Sequence, residues 1–289
     1  MVNNMEIIGK QLDEERALYH SNGIIVKNCE FSGPKDGESA LKESKNVIVI
    51  NSIFNLRYPF WHNENLKVDK STLTENCRAA LWHSKNIEFN DSVLNGIKAL
   101  RESSFIKLNR CIMESKEFMW RCENIDIRDS SLVSEYPFFE SSNISIDNLN
   151  LTGKYSFQYT KNAKITNSNF DTKDSLWHSD NVYVKDSIIK GEYFAWYSNN
   201  LTLENCTIIG TQPLCYCTNL KLINCKMVYC DLSFEYSDVE ADILGEIISI
   251  KNPNNGYIKC DSLKELIIDE FKKEDAHCLI TVSGEIINK

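Results

Sequence analysis

A 19-residue repeat restricts the fold of this chain more than any other feature of its sequence. Leu-Trp-His-Ser occurs at 81–84 and again at 176–179, and the two copies are five such periods apart. The repeat units, here called coils, begin at positions 46, 65, 86, 105, 124, 143, 162, 181, 200, 219 and 238, so the period is constant except for the coil at 65, which is two residues longer. An earlier coil, 23–45, carries four additional residues. Repeats of this length are typical of solenoids.

The pattern within a coil predicts short β-strands. Coil positions 4 and 9 are always apolar between 46 and 237, and an Asn/Asp–Ser/Cys dipeptide lies between them in most coils. Short alternating apolar stretches separated by Asn, Asp and Ser indicate strands joined by tight turns. One coil cannot bury its apolar side chains alone, but stacked coils form a continuous core. We therefore predict an all-β, right-handed parallel β-helix; a pentapeptide-repeat helix, which needs four complete pentapeptides per turn, is the nearest alternative.

Asparagine occupies nine of the eleven coil starts, and only Phe105 and Asp238 depart from this pattern. Asn tolerates the left-handed backbone region, and stacked Asn amides can hydrogen-bond from coil to coil. The asparagines are therefore predicted to have a structural role at a corner of each coil.

The ends of the repeat are expected to be capped, because a solenoid otherwise exposes sheet edges. We predict a short N-terminal helical cap within 1–22, from the helix-permissive stretch LDEERALY at 12–19, and regular coils over 23–237. Residues 238–289 lose the register and are predicted to form irregular C-terminal coils and a cap. No linker divides the chain, so 1–289 is predicted to be a single domain.

The composition argues against several classes of function. A formal net charge of -9 disfavours binding to nucleic acid or to an anionic membrane. The N-terminus does not resemble a signal peptide, and the eleven scattered cysteines are expected to be reduced thiols of a cytoplasmic protein. Cys29, Cys111, Cys206 and Cys225 share the coil position otherwise held by Ser, so these four are predicted to be small core residues. No phosphate-binding loop, HExxH or CxxC motif is present, so we predict no cofactor and no metal site.

Several motifs resemble a bacterial family of uncharacterised single-domain β-helix proteins, known only as a domain of unknown function. They are ERALY (15–19), LKES (41–44), YPFW (58–61), RAALW (78–82), GKYSF (153–157), GEYFAWYSNN (191–200), FEYS (234–237) and SIKNP (249–253). The resemblance covers nearly the whole chain and implies the same fold, but it brings no catalytic residues. More distantly, the architecture is similar to that of pectate lyases and polygalacturonases, which is a likeness of fold alone.

The aromatic residues are segregated within the coil. All five tryptophans fall at position 16, and position 17 collects charged, His and Tyr side chains, including three of the five histidines. Position 15 is nearly all apolar, so we expect it to point inward and position 17 to point outward. Alternation along a strand would place both on one face, so the chain is expected to bend near 16–17 and to leave the rings at position 16 partly exposed.

Two interpretations of this strip remain open. It either holds neighbouring coils together by aromatic stacking, or it is a recognition surface for an oligosaccharide or polysaccharide. The candidate ligand-binding residues are Trp61, His62, Trp82, His83, Trp120, Trp177, His178, Trp196 and Tyr197. Whether the protein is an enzyme is left open, and the candidates for acid–base chemistry in glycoside cleavage are His83, Glu102, Arg121, Glu140 and His178.

Positions 12 and 13 form a basic edge within the acidic chain. The edge offers a site for uronate or phosphate groups or, alternatively, a solvated corner; it comprises Arg57, Arg78, Lys98, Lys116, Lys154 and Lys173. The alternative function for the protein as a whole is a non-catalytic scaffold that forms a homodimer through the aromatic ladder.

Overall fold

The computed structural model describes residues 5–33 and 37–288. The chain divides into two compact units, Met1–Asn150 and Leu151–Lys289, here called unit 1 and unit 2. Within each unit the regular structure consists of short β-strands paired in parallel from coil to coil. The parallel β-solenoid expected from the repeat is therefore confirmed, while its right-handed winding stays a prediction. Among the residues described, no helix is long and apolar enough to cross a membrane.

In unit 1, most coils carry one long and one short strand. The long strands are Asn22–Lys27, Lys45–Ile50, Glu64–Asp69, Lys85–Asn90 and Ser104–Asn109. The short strands are Glu30–Phe31, Ile53–Phe54, Thr72–Leu73, Val93–Asn95 and Ile112–Glu114. Met5–Ile8 forms the first strand, and in Glu123–Glu135 the long and short strands are continuous. A second continuous strand is Ser142–Lys154.

In unit 2, the same pattern continues until the register is lost. The coils contain Lys161–Thr166, Asn169–Lys173, Asp180–Lys185, Ile188–Lys190, Asn199–Glu204, Thr207–Ile209 and Leu220–Val228. The irregular C-terminal coils contain Asp238–Ile243, Glu246–Lys251, Asn255–Cys260, Ser262–Ile267, His277–Val282 and Glu285–Ile286. The last of these pairs antiparallel with His277–Val282, unlike the parallel pairs that precede it.

The strand register follows the sequence period. Ile106 pairs with Ile125 in unit 1, and Val182 pairs with Leu201 in unit 2, so each residue meets its equivalent in the next coil. Leu66 pairs with Ile87 across the longer coil that begins at 65, and the register is kept there as well. The apolar residues that the period aligns at position 4 are buried in both units. The buried hydrophobic area of each unit therefore lies inside the coils, where each residue packs on its equivalents above and below.

The N-terminal helical cap predicted within 1–22 is wrong. Met5–Ile8 is a strand that pairs in parallel with Asn22–Lys27, and residues 15–20 form a turn rather than a helix. Arg16, Leu18 and His20 all have positive φ, which a right-handed helix cannot accommodate. The backbone N–H groups of Arg16 and His20 donate to carbonyls of the following coil instead. Inter-coil hydrogen bonds have thus overridden the helix propensity of Glu, Arg, Ala and Leu.

The predicted structural role of the asparagines is confirmed. The residues at position 1 of the coils from 46 to 219 have φ between +51° and +59°. In unit 1, the Asn65 amide Nδ2 donates to Asn46 Oδ1 at 2.9 Å, and Asn86 Nδ2 donates to Asn65 Oδ1 at 2.8 Å. In unit 2, Asn181 Nδ2 donates to Asn162 Oδ1 at 2.8 Å. Each asparagine of these pairs therefore holds a left-handed corner and joins it to the neighbouring coil.

All eleven cysteines are buried and unpaired. Several take the place of a buried serine that joins coils: the Cys111 N–H donates to Ser130 Oγ at 3.0 Å, as the Ser52 N–H does to Ser71 Oγ. The prediction that Cys29, Cys111, Cys206 and Cys225 are small core residues is confirmed.

Candidate functional site

The candidate strip lies on a corner segment, coil positions 13–17, that is not a β-strand. Its residues alternate between positive and ordinary φ, as in the coil where Ala79, Leu81 and His83 have φ of 52°, 59° and 54°. The Leu81 N–H donates to a carbonyl of the preceding coil, whereas the N–H groups of Ala79 and His83 donate to the following coil. Leu81 is buried and His83 is exposed, although they are two residues apart. This backbone explains the opposite compositions of positions 15 and 17.

In unit 1, the side chains at position 16 form a continuous stack, here called the tryptophan column. It contains Lys42, Trp61, Trp82, Arg101, Trp120 and Phe139. The Trp61 and Trp82 rings are parallel, with centroids 5.3 Å apart. Arg101 lies between two rings, with its guanidinium 4.8 Å from the Trp82 centroid and 4.6 Å from that of Trp120. These arrangements combine aromatic stacking with cation–π attraction.

Unit 2 contains a shorter tryptophan column. The Trp177 and Trp196 rings stack at 5.4 Å and 4° between planes. Gln158 precedes them at position 16, and Cys215, which follows, is buried. The column is therefore built from fewer rings than in unit 1.

Each indole N–H is engaged by the backbone of the next coil. Trp82 Nε1 donates to the Lys98 carbonyl at 2.7 Å, and Trp61 Nε1 donates to the Ala79 carbonyl. The remaining three donate in the same way: Trp120 to Tyr136, Trp177 to Tyr193 and Trp196 to Gln212, at 2.6–2.7 Å. The five side chains are half-buried. With stacked faces and satisfied N–H groups, they present ring edges to solvent and hold neighbouring coils together.

The position-17 side chains of unit 1, here called the outer column, form a chain of polar contacts. His62 and His83 stack at 5.1 Å, and His83 Nδ1 lies 3.4 Å from a Glu102 carboxylate oxygen. The Arg121 guanidinium lies between two carboxylates, with Nη1 3.3 Å from Glu102 Oε1 and Nε 2.8 Å from Glu140 Oε2. These two carboxylates, Glu140 the more strongly, raise the pKa of Arg121. All five side chains are exposed, so the structure brings the sequence-predicted residues of this coil position together on one accessible face.

The outer column of unit 2 is aromatic rather than charged. His178 stacks between Tyr159 and Tyr197, with both centroid distances 4.9 Å and both interplanar angles 7°. Tyr216 continues the stack at 4.7 Å from Tyr197. Burial and the nearby Glu235 carboxylate raise the pKa of Tyr216 to about 12, so its hydroxyl is neutral at physiological pH.

Sequence reasoning missed one residue at the N-terminal end of the outer column. His20 occupies the position-17 place of the first coil, with φ of 56° and an N–H bonded to the Lys42 carbonyl. Beside it, the Tyr19 hydroxyl donates to Glu43 at 2.7 Å, which lowers the pKa of that carboxyl. The similarity of RALYH at 16–20 to RAALWH at 78–83 is a signal that could have identified it.

In the last regular coil of unit 2, the positions counted from the repeat are wrong by one residue. Positive φ falls at Leu232, Phe234 and Tyr236, so Phe234 takes the buried place and Tyr236 the outer one. The sequence count assigns these places to Ser233 and Glu235 instead. The Tyr236 ring lies 5.8 Å from that of Tyr216 and extends the aromatic stack of unit 2.

Glu102 and Glu140 of the outer column do not form an open acid–base pair. Glycosidases hold two carboxyl groups about 5–10 Å apart with the scissile bond between them. Here the Arg121 guanidinium lies between Glu102 and Glu140, within hydrogen-bonding distance of both. This side chain fills the space that a glycosidic bond would need.

Among the residues that the structure describes, neither a metal centre nor an open anion site accompanies the strip. Within the described residues, no three His, Cys, Asp or Glu side chains are arranged to hold a metal ion. The basic edge is largely paired with carboxylates: Arg57 with Glu38 at 2.9 Å, Lys98 with Glu117 at 3.6 Å and Lys116 with Glu135 at 3.7 Å. This pairing favours the solvated corner over an anion site.

Comparison with solved structures gives likenesses of fold alone. The chain is similar to PfbA, a surface adhesin of Streptococcus pneumoniae, at 10% identity and a TM-score of 0.47, over 96% of this chain and 82% of that one. It is also similar to QnrB1, a plasmid-mediated fluoroquinolone resistance protein, at 10% identity and a TM-score of 0.31, over 70% and 92%. The A-module of the Azotobacter vinelandii mannuronan C-5 epimerase AlgE4 matches at 10% identity and a TM-score of 0.25, over 96% and 82%.

No curated protein matches this sequence. The family model described as protein of unknown function (DUF3737) matches residues 5–281. This match confirms the resemblance carried by the sequence motifs, and the chain therefore belongs to the DUF3737 family.

Proposed function

We propose that this protein is a non-catalytic carbohydrate-binding β-solenoid whose ligand lies along the outer column of unit 1. The observation that carries the proposal is the exposed row His62, His83, Glu102, Arg121 and Glu140, in which successive groups contact one another. The row repeats at the strand spacing of about 4.8 Å. Such a row of imidazole, carboxylate and guanidinium groups offers donors and acceptors for the hydroxyls of a linear polymer.

The tryptophan column supports this surface from below. The His62 ring lies edge-on to Trp61 at 6.2 Å, and His83 lies edge-on to Trp82 at 6.3 Å. Because the indoles are fixed by stacking and by their N–H bonds, they restrict the imidazole orientations. A pre-organised polar row loses less side-chain entropy when it binds a ligand.

Binding without cleavage is proposed because of Arg121. Its guanidinium occupies the gap between Glu102 and Glu140, so these carboxylates can accept hydroxyl hydrogen bonds but do not flank a free space. We also propose a cytoplasmic location, in keeping with the eleven buried, unpaired thiols.

The test is titration calorimetry with a panel of neutral and acidic oligosaccharides. Arg121→Gln is expected to lower the affinity roughly tenfold, the effect of losing a charged hydrogen bond of about 1.5 kcal/mol. The matched control is Arg128→Gln, which removes an exposed arginine of the same unit that pairs with Asp126. No binding to any member of the panel, or equal losses for both variants, would refute the proposal.

A second candidate function is self-association through unit 2. Tyr159 and Tyr197 are 46% and 45% exposed within a stack of rings, and exposed aromatic patches often mark contact surfaces. Light scattering should then detect a dimer that Tyr197→Ser dissociates. A monomer at high protein concentration would eliminate this candidate.

A further inference from the structure

A second feature of unit 1 lies away from the outer column, where the asparagine ladder is interrupted. The ladder runs from Asn46 through Asn65 to Asn86, each amide donating to the one before it. At the next coil Phe105 replaces asparagine, and Asn124 is the next amide. In the described part of the chain, Asn86 Oδ1 therefore receives no ladder donor, and Asn124 Nδ2 has no ladder acceptor.

Phe105 is unfavourable for stability at this place. Its φ is 57°, a conformation that asparagine tolerates better than an aromatic residue. The substitution also removes two inter-coil hydrogen bonds, and the ring is left 50% exposed. A residue that weakens the fold in three respects and projects an aromatic ring into solvent is expected at a binding site.

The ring closes one end of an open groove of about 540 Å³. One side of this groove carries the ladder amides, including Asn65 and Asn86, and the other carries the position-3 side chains, including Lys67 and Lys107. Each ladder amide keeps an N–H and a carbonyl lone pair that the ladder does not use. The groove is shallow and lined with repeated amides, which suits an extended hydroxylated ligand better than a compact apolar one.

Lysines and carboxylates alternate along the strands at the Phe105 end of the groove: Lys107 lies in register between Glu88 and Asp126, and Lys85 lies in register with Glu64. Lys67 is neutralised by Glu88 at 3.1 Å. Lys107, in contrast, has no carboxylate within ion-pair distance among the residues described, and neither has Lys85, whose ammonium lies 5.6 Å from the Phe105 ring centroid. Lysines that are not held in a direct ion pair, beside an exposed ring, favour a ligand that combines an apolar face with an anionic group.

We propose that this groove binds an acidic oligosaccharide, with a hexuronate unit at Phe105. The apolar face of the sugar packs on the ring, its carboxylate is bound by Lys107 or Lys85, and a hydroxyl donates to Asn86 Oδ1. Further units of the chain lie along the amides of Asn65 and Asn46. This site is separate from the outer column and does not depend on it.

The test uses the full chain, calorimetry and an α-1,4-linked galacturonate tetramer, with maltotetraose as the neutral probe. Phe105→Asn is the decisive variant, because it restores the asparagine ladder while removing the ring. We expect at least tenfold weaker binding of the galacturonate tetramer with an unfolding midpoint that is not lowered. Lys107→Gln should weaken binding and reduce its dependence on salt.

Arg121→Gln separates the two sites. It should leave tetragalacturonate binding unchanged if the Phe105 groove is the site, whatever its effect on ligands of the outer column. Wild-type affinity in Phe105→Asn, equal binding of the neutral tetramer, or no binding of tetragalacturonate by the wild type would each overturn the proposal.

Discussion

The tryptophan column is expected to stabilise the solenoid, and Trp82→Ala tests this most directly. The half-buried Trp82 ring lies between Trp61 and Arg101, and its N–H donates to the Lys98 carbonyl. Removing about 150 Å² of buried ring area costs about 4 kcal/mol at about 25 cal/mol per Å². The lost stacking and hydrogen bond add about 1 kcal/mol each, and residual structure in the unfolded chain reduces the total. We expect a loss of about 3–5 kcal/mol.

The measurement is guanidinium chloride denaturation followed by far-ultraviolet circular dichroism, which does not depend on the fluorescence of the deleted residue. Two variants calibrate the result. Trp82→Phe keeps a ring in the stack and loses the N–H donor, so it should cost about 1–2 kcal/mol. His83→Ala removes the exposed neighbour and should cost less than about 1 kcal/mol. If Trp82→Ala is no more destabilising than His83→Ala at an unchanged m-value, the column does not hold the coils together.

Three other results are expected from the same structure. Asn65→Ala removes two ladder bonds and places alanine at φ of 59°, so it should lower the free energy of unfolding by about 2–3 kcal/mol. Asn65→Gly should recover the share of this loss that comes from the positive φ. Equal stability of the two variants would contradict a left-handed corner. Burial raises the pKa of Cys77 to about 11 and that of Cys217 to about 12, so an aromatic disulfide reagent should react with none of the eleven thiols rapidly in the native protein and with all of them in denaturant. The Arg110 guanidinium lowers the pKa of Asp91 from 3.8. The stability from this pair is therefore present above pH 3.8 and is lost as the pH falls through the lowered pKa. The difference in Tm between wild type and Arg110→Gln should disappear on acidification, and a constant difference would exclude the pair as its source.

The sequence was sufficient for those features that depend on burial. The apolar residues at position 4, such as Phe89 and Leu108, recur because each must face the interior of its coil, and this fixes the strand register. The asparagines at position 1 are informative for a similar reason, since asparagine adopts the left-handed region more readily than most other residues.

The conformation of the corner segment was not predictable in the same way. Ala79 and Leu81 both have positive φ, and nothing in their side chains favours it. The conformation is imposed by inter-coil hydrogen bonds that alternate in direction. The same cause explains the wrong helix at 12–19, where Arg16 and Leu18 are good helix formers locally. The extra residue before Leu232 was missed for the same reason, because counting residues along the repeat does not show where the backbone conformation changes.

The residues that interrupt the tryptophan column suggest what position 16 requires. Arg101 and Gln158 are polar side chains in a mainly aromatic column, yet both donate hydrogen bonds to position 13 of the next coil. Arg101 Nη2 donates to the Glu117 carboxylate at 2.7 Å, and Gln158 Nε2 donates to the Asp174 carbonyl at 3.2 Å. The tryptophans donate to the same part of the next coil, so what they share with Arg101 and Gln158 is an N–H group that reaches that coil rather than aromatic character. Phe139, which has no such group, is the exception in unit 1.

This reasoning leads to a prediction for Trp177, whose N–H donates to the Tyr193 carbonyl at 2.6 Å. Trp177→Leu retains apolar burial but leaves that carbonyl without its donor, a cost of about 1–3 kcal/mol. Trp177→Gln loses most of the apolar area but reproduces the donor that Gln158 supplies elsewhere in unit 2. Chemical denaturation should therefore find the Gln variant as stable as the Leu variant, or more stable. If the Leu variant is more stable by over about 1 kcal/mol, the typical worth of one hydrogen bond, apolar area and not hydrogen bonding determines which residues occupy the column.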